Sequence, residues 1–176
     1  MKFKETELKG AFVIELEKRE DERGFFARSF CVEEFNNHGL NTRVVQCNVS
    51  FNKHKGTLRG MHYQTAPFEE TKLVRCTKGS IYDVIIDLRS GSETFKRHFA
   101  IVLTAKDGNM LYVPEGFAHG FQTLAPNSEI FYQMSQIYSP EHARGVRWND
   151  PAFAIEWPAA ERIMTDRDRT YPDFTG

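Results

Sequence analysis

Two stretches of the chain concentrate side chains that can move protons or hold anions. Gly56 to Gly79 reads G-T-L-R-G-M-H-Y-Q-T-A-P-F-E-E-T-K-L-V-R-C-T-K-G and places Arg59, His62 and Lys72 on two neighbouring predicted strands. Gly108 to Thr123 supplies His119 as a counterpart. An imidazole exchanges a proton near neutral pH without heavy tuning. A fixed ammonium favours an anion, including one that develops during a reaction in a water-poor pocket. On residue types alone the strand pair is compatible with any small polar ligand. Proton transfer by such side chains needs neither metal nor redox cofactor, and no cofactor is expected.

These side chains must be held by strands. Val44–Phe51 alternates apolar with polar, so Gln46, Asn48 and Ser50 share one face, as the lining of a pocket does. Further strands are predicted at Phe12–Leu16, Phe25–Phe30, Thr57–Tyr63, His98–Thr104, Asn109–Val113, Gly120–Leu124 and Ile130–Tyr138. A charged turn separates the first two at Arg19–Gly24. Lys72–Thr77 and Ser80–Leu88 read as a hairpin about Lys78–Gly79. That register makes Lys72 a diagonal neighbour of Asp83, with an ion pair expected between them. V-E-E-F-N-N-H-G-L predicts one helix ended by Gly39. The end of the chain reads as an apolar-anchored loop and a polar tail. Many short strands with regular turns predict an all-β sandwich or barrel.

Composition narrows the class. The 176 residues suit a single domain spanning 1–176. A net charge of -1 offers no footprint for nucleic acid or an anionic membrane. No apolar run approaches the roughly 20 residues of a membrane helix. M-K-F-K-E-T-E-L-K-G lacks a secretory apolar core. Three scattered cysteines, Cys31, Cys47 and Cys76, fit reduced thiols. A cytoplasmic protein is expected.

The spacing of Gly108, Pro114, Gly116 and His119 resembles the second cupin motif, with Thr123 in its last position. The first cupin motif can be laid on Gly56–Gly79 with His62 in place, but its second histidine slot holds Gln64. Counted back from Gly79 its glutamate slot holds Lys72; counted forward from Gln64 it would hold Glu69, with Cys76 in place of the final glycine, so the first alignment is preferred. Metal-binding cupins need three imidazoles and a carboxylate. A protonated lysine cannot ligate and repels a divalent cation, so no metal site is expected.

The runs D-E-R-G-F-F, Q-C-N-V-S, L-R-G-M-H-Y-Q, K-L-V-R-C-T-K-G-S-I-Y-D-V-I-I-D-L-R, V-P-E-G-F-A-H-G-F and G-V-R-W-N-D-P together resemble the dTDP-4-dehydrorhamnose 3,5-epimerase family, over nearly the whole chain. The resemblance implies a cupin-like β-barrel, a jelly-roll sandwich of two antiparallel sheets with a few short helices. It implies His62 as general base, Asp168 as the carboxylate that orients it, Tyr132 as proton donor and Lys72 as the cation near the 4-keto oxygen. Arg23, Gln46, Asn48, Arg59, His119 and Arg167 match nucleotide-sugar contacts, and Tyr138 the aromatic that stacks on the base. Phe26 is implied to come from the neighbouring subunit of a homodimer with exchanged N-terminal strands. The implied activity is epimerisation of a nucleotide-linked 4-keto-6-deoxyhexose at C3, C5 or both, for polysaccharide (O-antigen) precursors. A ketoisomerase and a non-catalytic sugar-binding cupin are the competing readings.

Two positions depart from the family. Arg28 and Ala143 stand where glutamates are usual. A carboxylate accepts from the ring N–H of thymine, whereas a guanidinium only donates, matching the acceptors of cytosine. A CDP-sugar is therefore expected. The alternative keeps dTDP and turns Arg28 to a phosphate or to solvent.

Overall fold

Alternating segments punctuated by glycine and proline become thirteen strands and two short helices in the computed structural model, which describes Met1–Gly176. In chain order they are β1 (Lys2–Glu5), β2 (Phe12–Glu15), β3 (Arg19–Asp21), β4 (Gly24–Phe26), α1 (Val32–Asn37), β5 (Gln46–Asn52), β6 (Leu58–Gln64) and β7 (Lys72–Lys78). Then follow β8 (Ser80–Asp87), β9 (His98–Thr104), β10 (Met110–Val113), β11 (Phe117–Thr123), β12 (Ser128–Met134), β13 (Ala143–Gly145) and α2 (Asp166–Arg169). One sheet has the order β1-β2-β10-β7-β12-β5 and the other β13-β6-β11-β8-β9, while β3 and β4 form a separate hairpin. All pairings between these strands are antiparallel, and one isolated parallel bridge joins Thr57 to Ile163.

The inward side chains of the two sheets make the main core. Val74, Leu111 and Ile130 from one sheet meet Ile85, Leu103 and Phe121 from the other. Full burial of such a side chain is worth about 1.5–3 kcal/mol each. The outer faces are partly covered. Phe35 of α1 and Leu40 pack on Leu73, Met110 and Tyr112. Phe153 and Trp157 of the C-terminal segment cover Val84 and Ile86. As expected, Gly39 follows the helix with φ +68° and donates to Asn36 at 2.9 Å. No helix is long and apolar enough to cross a membrane.

The expected β7–β8 hairpin is corrected. The chain turns a corner at Gly79 and changes sheets, so β7 lies between β10 and β12, and β8 between β11 and β9. Two strands joined by a single glycine read alike as hairpin or corner. Here Gly79 packs on Ser128, where a Cβ would lie 2.4 Å from the hydroxyl oxygen. Lys72 and Asp83 consequently take different partners, Glu70 and His119. Three smaller corrections follow. The strand expected to reach Tyr138 stops at Met134. Arg19–Gly24 is itself the body of the β3–β4 hairpin. The polar tail contains α2.

Candidate active site

Arg59 and His62 are an odd number of residues apart, and a regular strand would send them to opposite faces. They nevertheless line one cavity of 280 Å³ between the sheets. The cause is a register shift in the β6–β11 pair, where His119 lies opposite His62 but Phe121 opposite Arg59. The extra residue on β6 is a bulge that returns both side chains to the same face. Glycines permit it. A Cβ on Gly60, whose φ is +122°, would lie 2.5 Å from the Gly120 Cα. Met61, within the bulge, is buried in the outer cluster instead.

The His62 Nε2–H donates to Asp168 Oδ1 at 2.7 Å, and the Gly60 N–H donates to Asp168 Oδ2 at 3.3 Å. Thr165 caps α2 by accepting from the Asp168 N–H, which fixes the carboxylate's helix. Burial pushes the Asp168 carboxyl up, but the hydrogen bond and charge of His62, with Gly60 and Arg167, outweigh it and hold the group below the usual aspartate range. An ionised carboxylate only accepts, so Nε2 carries the proton and Nδ1 is the basic nitrogen. The imidazole is 43 % exposed and its carboxylate 6 %. His119 makes a second pair with Asp83 at 2.8 Å, with both side chains buried. Only His62 therefore combines an orienting carboxylate with open access.

Tyr132 and Lys72 face the same cavity from the opposite sheet. The Tyr132 ring stands edge-on to His119 at 6.0 Å. Burial, reinforced by the charge of Asp83, pushes the phenol well above its ordinary value, so it is a donor at neutral pH. The Lys72 ammonium is 3.0 Å from Glu70 Oε1 and donates to the His62 carbonyl at 3.3 Å. Arg59 donates through Nε to Asn52 at 2.8 Å, and Asn48 completes the polar wall.

A second cavity of 260 Å³ shares His62 and Lys72 with the first and extends to Tyr138 and Arg167. Gln46 accepts from the Tyr138 N–H at 3.2 Å, so it holds the loop carrying that ring. Gln64 donates to the Phe68 carbonyl at 2.8 Å and accepts from the Ser139 N–H at 2.6 Å. Its amide is thus committed to the backbone. No three His, Cys, Asp or Glu side chains converge in a metal-binding group. A larger hollow of 480 Å³, walled by Lys55, Pro158 and Glu161, contains no imidazole or phenol.

Arg23, Phe26 and Arg28 do not join these cavities within the chain. Arg23 is paired with Asp21 at 2.6 Å on the exposed β3–β4 hairpin, and Phe26 is 72 % exposed. Arg28 is paired with Glu34 at 2.8 Å. Ala143 does line the second cavity, with a methyl group only. Sequence reasoning missed Glu70 as the partner of Lys72 and Asp83 as the partner of His119. The signal for Asp83 was a lone carboxylate in the inward register of I-Y-D-V-I-I.

The chain is similar to known proteins over nearly its whole length. Residues 5–176 match the family model for dTDP-4-dehydrorhamnose 3,5-epimerase. The dTDP-4-dehydrorhamnose 3,5-epimerase of Sinorhizobium fredii is 38 % identical over 175 residues, 99 % of this chain and 90 % of that protein. The crystal structure of the Bacillus anthracis enzyme of that name, with TDP and PPi bound, superposes with a TM-score of 0.95 at 42 % identity, covering 98 % and 99 % of the two chains. A Legionella pneumophila dTDP-6-deoxy-D-glucose-3,5-epimerase in complex with dTDP-4-keto-L-rhamnose gives 0.89 at 34 %, covering 95 % and 89 %. With 34–42 % identity over nearly the whole chain, the same two-sheet fold and a family model matched over residues 5–176, the chain belongs to the dTDP-4-dehydrorhamnose 3,5-epimerase family.

Proposed function

We propose that the protein epimerises a dTDP-linked 4-keto-6-deoxyhexose at C3, C5 or both. The observation that carries this reading is that His62 and Tyr132 face one cavity from opposite sheets, with Lys72 beside them. His62 Nδ1 removes the proton α to the ketone, and Asp168 stabilises the imidazolium that forms. The Lys72 ammonium balances charge developing on the 4-keto oxygen. Tyr132 returns a proton to the other face of the carbon, which inverts it. Arg59 holds the diphosphate, Asn48 and His119 contact the sugar nucleotide, and Tyr138 stacks on the base with Arg167 beside it. A sugar-binding module has no need of base, acid and cation together.

The expectation of a CDP-sugar rested on Arg28. That guanidinium is compensated by Glu34, and no observation favours cytosine over thymine. Exposed Val49 and Phe51 on edge strand β5, with Phe25 and Phe26 on the projecting hairpin, support a homodimer in which Arg23 and Phe26 complete the partner's site. We place the enzyme in the cytoplasm, making deoxysugar precursors for polysaccharides such as O-antigen.

Incubation with dTDP- and CDP-4-keto-6-deoxyglucose in heavy water, read by NMR, tests the proposal. Deuterium is expected at C3, C5 or both with the dTDP substrate. No label with either substrate overturns epimerisation, and label with the CDP substrate alone overturns the choice of base.

A further inference from the structure

One aromatic ring against the His62–Asp168 pair has no part in the chemistry above. Strand β13 pairs Gly145 directly with His62. The space a side chain at 145 would fill is taken by Tyr171, because a Cβ there would lie 2.3 Å from two atoms of its ring. The same ring stands edge-on to the His62 imidazole at 6.1 Å and 71°. Its other contact is the Arg167 guanidinium, 5.9 Å from the ring centre. No group lies within hydrogen-bonding distance of the buried Tyr171 hydroxyl, although the Arg167 guanidinium is near enough to favour its ionised form. What the site uses is therefore the ring and its seat.

From these contacts we infer that Tyr171 is a positioning residue for the base, wedged on Gly145 so that the His62 imidazole keeps its Nε2–H on Asp168 and its Nδ1 towards the cavity. The physical need is plain. His62 is 43 % exposed, so one carboxylate contact must otherwise fix two side-chain torsions against solvent. A rigid ring beside the imidazole removes alternative rotamers and keeps water from competing for Asp168. One short segment supplies all three parts. α2 carries Arg167 and Asp168, and Tyr171 follows immediately after its cap at Thr170. The residue at 145 must stay small for the ring to seat.

The kinetic half of the inference rests on the proposed epimerase reading; the tautomer half does not. In protein labelled with ¹⁵N-histidine at mildly alkaline pH, His62, assigned by its loss in His62→Ala, is expected as a single Nε2–H tautomer. Tyr171→Ala and Gly145→Ala are both expected to turn this into an averaged signal, while Tyr171→Phe keeps it. Retention of the single tautomer in both disruptive variants overturns the inference whatever the wild-type activity. Where wild type exchanges substrate deuterium, kcat is expected to fall about tenfold in each disruptive variant with KM within about twofold, and Tyr171→Phe to stay near wild type. The double variant is expected to be no slower than either single one, because both remove one contact. A product of the two losses, or Tyr171→Phe as slow as Tyr171→Ala, overturns it. Should Tyr171→Ala fail to fold, Tyr171→Leu, which keeps apolar cover without the ring, carries the same comparison.

Discussion

Asp168 Oδ1 accepts from His62 Nε2 at 2.7 Å, although the two residues lie 106 positions apart in the chain. That bond assigns the imidazole's proton and leaves Nδ1 to act. Asp168→Asn can present its amide N–H₂ or its carbonyl, so the tautomer is no longer dictated. Both His62→Ala and Asp168→Asn are expected to lower solvent deuterium incorporation into substrate by about 10²–10⁴-fold. The fold should persist in His62→Ala, since the side chain is half exposed; near-UV circular dichroism checks this. Wild-type exchange in His62→Ala removes the residue as base.

Tyr132 and His62 face the cavity from different sheets, which in the proposed reaction separates abstraction from return of the proton. Tyr132→Phe is expected to keep deuterium exchange at the α-carbon, since His62 can replace the proton it took. Inversion should fall by about 10²-fold or more. Comparing label in recovered substrate with the amount of inverted sugar measures the split. Equal loss of both would place Tyr132 in positioning and not in protonation.

Much of this arrangement was legible from spacing, and the parts that were not share a cause. Asn48, Lys72 and His119 sit on strands whose alternation predicts their inward face. Arg59 and His62 converge through a bulge that no alternation rule anticipates. The partners were less legible than the principals. Glu70 lies in the irregular segment before β7, and Asp83 lies on a strand whose sheet depends on the corner at Gly79. Strand β13 is only Ala-Arg-Gly, without β-branched or aromatic residues, and its existence follows from pairing with β6. Helix α2 is a single four-residue turn defined by the Thr165 cap. Such elements are made by tertiary contacts, and local sequence carries little of them.

Lys72 and Glu70 are a buried pair, with side chains 8 % and 7 % exposed, and Glu70 Oε2 has no partner. Removing the cation alone strands a carboxylate. Lys72→Met is expected to lose about 3–5 kcal/mol of stability by denaturant unfolding and to lose turnover. Adding Glu70→Gln removes the stranded charge. The double variant should recover most of the stability and none of the activity, because the cation beside the keto oxygen is still missing. Activity in the double variant would show that Lys72 serves the fold and not the enolate.

Asp87 predicts the acid limit of the fold. It is fully buried at the end of β8 and accepts from Arg89 Nε at 2.9 Å and Nη2 at 2.7 Å, from Ser92 at 2.6 Å and from Thr94 at 2.7 Å. Burial pushes its carboxyl up, but these donors outweigh burial and hold it well below its ordinary value of 3.8. A group depressed in the folded state contributes its full stability above the unfolded value and loses it as pH falls through the folded one. At pH near 7, Asp87→Asn is expected to cost about 3 kcal/mol in urea unfolding, since Arg89 keeps its charge but loses its partner. Below about pH 4 wild type begins to lose this contribution while Asp87→Asn has none to lose, so the gap between them should narrow. A gap that stays constant from neutral pH to about pH 2 would show that the cost comes from packing around residue 87 and not from its charge.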